Sequence, residues 1–138
     1  MRIAAALFGI VLAACAQPQP VSVENAWVRL SAVPGRPAAG YFTVSSADRS
    51  RTLLGVGSTA FRRAELHESM AGGMRALPSV PVPSGKDVAF TPGGRHLMLF
   101  EVEPSVAPGS EMPLQFTFDD GASVVVAAKV VGAADPAP

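Results

Sequence analysis

One thiol, Cys15, is all the chain offers, so no internal disulfide can form. Charge is scarce too: only 16% of residues are Asp, Glu, Lys or Arg, and 11 basic side chains balance 11 acidic ones. No net field is therefore available to gather a polyanion, and a nucleic-acid partner is excluded. There is no internal repeat and no convincing helical period beyond the first fourteen residues. The apolar stretch from Ile3 to Ala14 is too short to cross a membrane as a stable helix. Serines are present, but no nucleophile elbow and no glycine-rich phosphate loop accompanies them, which leaves hydrolytic and nucleotide chemistry without a signature. The chain reads as a non-enzyme.

What is present is a folding sequence. A content of 49% hydrophobic residues in 138 argues for one globular domain with a real core. The N-terminus stands apart from it. Arg2 supplies a basic start, Ile3 to Ala14 an apolar stretch, and small residues lead to Cys15, the layout of an export signal. Leu12-Ala13-Ala14-Cys15 resembles the lipobox of bacterial lipoproteins, which implies cleavage before Cys15 and acylation of its sulfur. Acylation would also remove the liability of a free thiol in an oxidising compartment. The expected divisions are a lipoprotein signal peptide at 1–14, a lipidated, proline-stiffened tether at 15–20, a β-sandwich domain at 21–132 and a flexible tail at 133–138. The mature chain keeps 10 basic residues against 11 acidic ones, a formal charge of about −1. The protein is expected on the periplasmic face of a bacterial membrane, held there by lipid.

The thirteen glycines and thirteen prolines are spread along the chain and punctuate short strand signals. Candidate strands run over Asn25–Ser31, Gly40–Ser45, Thr52–Gly57, Arg62–Glu68, Met74–Leu77, Lys86–Phe90, His96–Val102, Pro113–Phe118 and Ser123–Val131. Asp119-Asp120-Gly121 forms a hairpin turn between the last two. Eight or nine such strands predict an all-β fold, a sandwich or Greek-key barrel. Alternation then divides His96-Leu97-Met98-Leu99 by face: Leu97 and Leu99 towards the core, His96 and Met98 on the other side.

The chemistry-bearing residues cluster. Both histidines and three of the four methionines after Met1 fall in two segments, His67-Glu68-Ser69-Met70-Ala71-Gly72-Gly73-Met74 and His96-Leu97-Met98, while Met112 stands alone. Ala71-Gly72-Gly73 reads as a hairpin tip that folds Met74 back beside His67. Packing of the two segments would join two imidazoles to at least two thioethers. Thioethers are neutral and polarisable, suiting copper(I) and adding little to zinc, calcium or magnesium sites. One by one these residues are unremarkable, since a single methionine usually fills a core; the argument rests on their clustering. Among the neighbours, Trp27 reads as a core or rim residue, Glu68 as solvent-exposed because it points away from His67, and Arg62 and Arg63 as a solvated strand edge.

Met74, twenty-one intervening residues, then His96-Leu97-Met98 resembles the His…Met…His-x-Met signature of PCu(A)C-type periplasmic copper chaperones. The likeness extends to Ala26-Trp27-Val28-Arg29, Ala64-Glu65-Leu66-His67-Glu68, Thr91 to Leu99 and Phe116 to Gly121. It implies a cupredoxin-like β-sandwich whose ligands are His67, Met74, His96 and Met98. It also implies delivery of copper(I) to a copper-receiving protein of the oxidase assembly pathway. Two departures stand out. The family usually places about ten residues between the first histidine and the first methionine, and here there are six, which leaves Met70 as an alternative or additional ligand. Residues 133–138 also lack the histidines and methionines of some relatives' tails, so one copper ion is expected. Two other readings compete: a lipoprotein interaction module that binds no metal, and a copper electron-transfer protein. The second is weakened by the missing thiolate, which blue-copper centres use with two histidines.

Overall fold

The computed structural model describes residues 20–138; the signal segment, Cys15 and most of the tether lie outside the described residues. Ten strands follow one another: β1 (Val21–Arg29), β2 (Ala38–Ser46), β3 (Arg51–Gly57), β4 (Phe61–Met70), β5 (Gly73–Leu77), β6 (Val80–Val82), β7 (Asp87–Phe90), β8 (Arg95–Val102), β9 (Glu111–Phe118) and β10 (Ser123–Val131). They pair in the order β5-β4-β8-β2-β1-β10-β9-β3-β6, with β7 also on β2. Among the described strands only β1 and β10 run parallel and the other strand pairings are antiparallel, with one isolated parallel bridge between Ser46 and Ser84. The fold is the expected cupredoxin-like, all-β architecture.

The strands form because side chains alternate. In β9, Met112, Leu114, Phe116 and Phe118 are buried between exposed neighbours, and β2 alternates in the same way along its whole length. The two halves of the sheet close on each other, and the Phe42 ring on β2 meets Phe116 on β9 edge-on at 4.7 Å. Leu66, Leu97 and Leu99 line this core from β4 and β8.

Two elements differ from expectation. The tenth strand, β6, escapes the sequence because Pro81 sits at its centre; it pairs only with β3, on an outer edge where a missing N–H is tolerated. β1 starts at Val21, four residues before the expected Asn25. A bulge between Glu24 and Trp27 interrupts its alternation, with Asn25 at φ 53°.

The far end of β2 is tied by a buried cation. Arg51 is 5% exposed and donates to Ser46 Oγ at 2.6 Å, to Asp48 in the β2–β3 turn and to Asp120 Oδ2 at 2.8 Å in the β9–β10 turn. Its guanidinium holds the Asp48 carboxyl down at about 2. At the C-terminus, Arg29 donates to the carbonyls of Gly132, Ala133 and Asp135, which ties down the start of the expected tail.

Candidate metal centre

β7 and β8 lie end to end along the same side of β2. Phe42 faces Phe90 and Gly40 faces Leu97, so residues 91–96 have only Tyr41 across from them on β2; residues 91–94 loop out, and Arg95 and His96 pair with β4 instead. The excursion closes on itself through Gly94 N–H to Thr91 O at 2.9 Å, with Gly93 at φ 84°. It is fastened to β4 by Ser69 N–H donating to Gly94 O at 3.1 Å. This loop delivers His96 to the start of β8, where it faces His67 of β4 in register. The two rings stack with centroids 5.8 Å apart and planes 26° from parallel. One residue farther on, Leu66 and Leu97 face each other on the core side, so alternation keeps the imidazoles on the outer face of the sheet.

Register places the methionines. Met98 follows His96 on the outer face, between Glu65 of β4 and Ala39 of β2. The β4–β5 hairpin turns at Ala71-Gly72 and pairs Ser69 with Met74, which puts Met74 on the same face as His67. Tyr41, Ser69, Met74, Gly93, His96 and Met98 border one shallow depression. Met70 is paired with Gly73, one step out of phase, and so belongs to the opposite face with Leu66 and Glu68. The two-residue turn fixes this parity and places the Met70 thioether on the face opposite Met74. Met112 is wholly buried core.

Among the described residues, each imidazole has one nitrogen without a hydrogen-bond partner. His96 Nδ1 donates to Gly94 O at 3.1 Å, and its Nε2 is unused. His67 Nε2 lies 2.9 Å from Glu65 Oε2, while its Nδ1 is buried without a hydrogen-bond partner. An orphaned buried nitrogen is costly unless something binds it. The bond to His67, more than Arg63, holds the Glu65 carboxyl below its ordinary range. Among the described residues no group of three or more His, Cys, Asp or Glu can gather round a metal ion. The donors on offer are therefore two imidazole nitrogens and two thioethers, a neutral set that suits a soft monovalent cation.

Some of this surround was invisible in the sequence. Glu68, the sequence neighbour of His67, pairs with Arg75 at 2.6 Å instead. Glu65 is the carboxylate that reaches the ring, and two-residue spacing on a strand was the signal for it. Tyr41 joins the depression from β2 and packs against Trp27, centroids 4.5 Å apart, while Trp27 itself does not border the depression.

Comparison with known proteins agrees with the fold and locates the family. Residues 21–130 match the family described as "Putative lipoprotein LpqE-like". An uncharacterized protein of Rickettsia prowazekii is 31% identical over 99 residues, covering 67% of this chain and only 55% of its own length. A Leifsonia xyli protein named as a lipoprotein is 27% identical over 119 residues, 83% of this chain and 71% of its own. Among solved structures, the copper-bound PCuAC domain from PmoF2 superposes with a TM-score of 0.71 at 25% identity, over 83% of this chain and 94% of that one. The copper(I) form of DR1885 from Deinococcus radiodurans superposes with a TM-score of 0.68 at 26% identity, over 84% and 81%. With a stacked histidine pair and two methionines on the outer face of such a sheet, this chain belongs to the LpqE-like family and has the fold of a PCuAC domain.

Proposed function

We propose that this protein is a periplasmic copper(I) metallochaperone that holds one ion through His67, His96, Met98 and Met74 and passes it on. The observation that carries the reading is the in-register His67–His96 pair, each ring with an unpartnered nitrogen, beside Met98 and Met74. The copper named for the PmoF2 domain and for DR1885, both of this fold, supports it. Met74 is 57% exposed, so one ligand is open to an incoming acceptor and copper need not be buried before it leaves. Exchange through one exposed, neutral ligand suits delivery better than redox turnover, and copper centres of respiratory oxidases are the proposed destination. Cys15 is the proposed lipid attachment site, in keeping with the lipoprotein name of the Leifsonia relative.

Anaerobic titration against a copper(I) chelator, followed by X-ray absorption, tests the assignment. One equivalent bound by mixed nitrogen and sulfur ligands is expected. Failure to compete for copper, or a shell of oxygen and nitrogen alone, would sink it.

A further inference from the structure

We propose that Glu65 is a positioning residue that makes Nδ1, not Nε2, the copper-donating nitrogen of His67. The inference rests on the copper reading above and adds to it the donor atom and the residue that selects it. An ionised carboxylate only accepts, so the 2.9 Å contact between Glu65 Oε2 and His67 Nε2 requires the proton on Nε2. In a neutral imidazole the lone pair then sits on Nδ1, the buried atom with no partner. His96 is arranged the other way round. Its Nδ1 gives its proton to Gly94 O, which leaves Nε2 as donor. The two facing rings thus leave unlike nitrogens unprotonated, Nδ1 on His67 and Nε2 on His96.

Glu65 is itself held. Its Oε1 accepts from Arg63 Nε at 3.2 Å, and the Arg63 guanidinium lies 4.0 Å from the centroid of the Phe100 ring. Arg63, Glu65 and His67 occupy alternate positions of β4, so strand geometry alone keeps them in line on the outer face. A mere surface ion pair would leave the far side of the imidazole in water. Here the far nitrogen is buried with no hydrogen-bond partner among the described residues, an unsatisfied lone pair whose cost a bound cation would remove.

The test uses the nitrogen-15-labelled full chain in detergent, with long-range proton–nitrogen correlation of the imidazoles before and after one equivalent of copper(I). Expected are His67 protonated on Nε2 in the apo protein and a copper-induced shift at His67 Nδ1 and His96 Nε2. A shift at His67 Nε2, or an apo His67 protonated on Nδ1, overturns the inference while leaving the copper reading intact. If neither histidine responds to copper, the copper reading falls, and with it the donor assignment. Variants supply the second arm. Glu65→Ala should mix the His67 tautomers and weaken copper(I) binding about 10- to 100-fold. Glu65→Gln, whose carbonyl can still accept the Nε2 proton, should restore both. An Ala variant with unchanged tautomer and affinity overturns the role of Glu65.

Discussion

At the scale of single residues, β4 and β8 divide their labour by parity. Leu97 and Leu99 are fully buried in the core, whereas His96 and Met98, which alternate with them, belong to the opposite face of the strand. Leu97→Ala or Leu99→Ala should cost about 2–5 kcal/mol in denaturant unfolding, through lost burial and the cavity left behind. His67→Ala, His96→Ala and Met98→Ala should each weaken copper(I) in chelator competition while moving the unfolding midpoint far less. Met74→Leu should weaken binding, and Met70→Leu should leave the affinity at the wild-type value, because its side chain stands on the other face. A silent Met74→Leu with a damaging Met70→Leu would contradict the register. The ligand types and their alternation were legible in the sequence because strand periodicity needs no tertiary information. Glu65 was legible only in part: alternation puts it on the face of His67, but adjacency draws the eye to Glu68, and which ring nitrogen the carboxylate reaches shows only in the folded sheet.

At the scale of elements, a turn decides which thioether counts. Gly72 has φ 86°, and the hairpin it closes sets Ser69 opposite Met74. A side chain there is strained by about 1–2 kcal/mol. Gly72→Ala is therefore expected to loosen the β4–β5 hairpin and to lower copper(I) affinity more than it lowers the global unfolding midpoint, read by chelator competition beside thermal melting. β2 meets β8 tightly as well, since a Cβ on Gly40 would lie 3.2 Å from Leu97 Cβ and Cδ1. Turns and strand bodies could be placed from the sequence because glycine, proline and alternation mark them locally. The β6 edge strand and the bulge in β1 could not, since Pro81 and Asn25 oppose strand structure and are accommodated only by an edge and by an irregular pairing. Residues 91–95 fall between two expected strands, but their service in carrying His96 to the face of His67 depends on β7 and β8 sharing one side of β2.

For the whole molecule, chain order separates the site from the fastening at the other end of β2. Asp48 titrates at about 2 in the fold against an ordinary 3.8, mainly through its bond from Arg51. A lowered folded value means that this bond contributes fully above the unfolded value of 3.8 and is lost as pH falls towards 2. Urea midpoints should therefore decline from pH 4 towards pH 2, and Asp48→Asn should flatten that decline; an equally steep decline in the variant would show that other carboxylates govern it. The proposed anchor makes a separate prediction. Cys15→Ser should abolish fatty-acid labelling and release the protein from membranes without altering copper affinity. Wild-type protein that takes up no label would refute the lipid assignment. The pairing of Val21 with Ser46, and of Trp27 with Tyr41, also fixes a vertical dimension. The chain enters β1 at the end remote from Met98, which faces Ala39. From Ser46 to Ala39 the strand climbs roughly 23 Å, and six further residues from Cys15 can add up to about 20 Å. A lipid-held molecule would thus present its ion as much as roughly 40 Å above the headgroups, a stand-off that only an acceptor with its own entrance at comparable altitude could meet without leaving the bilayer.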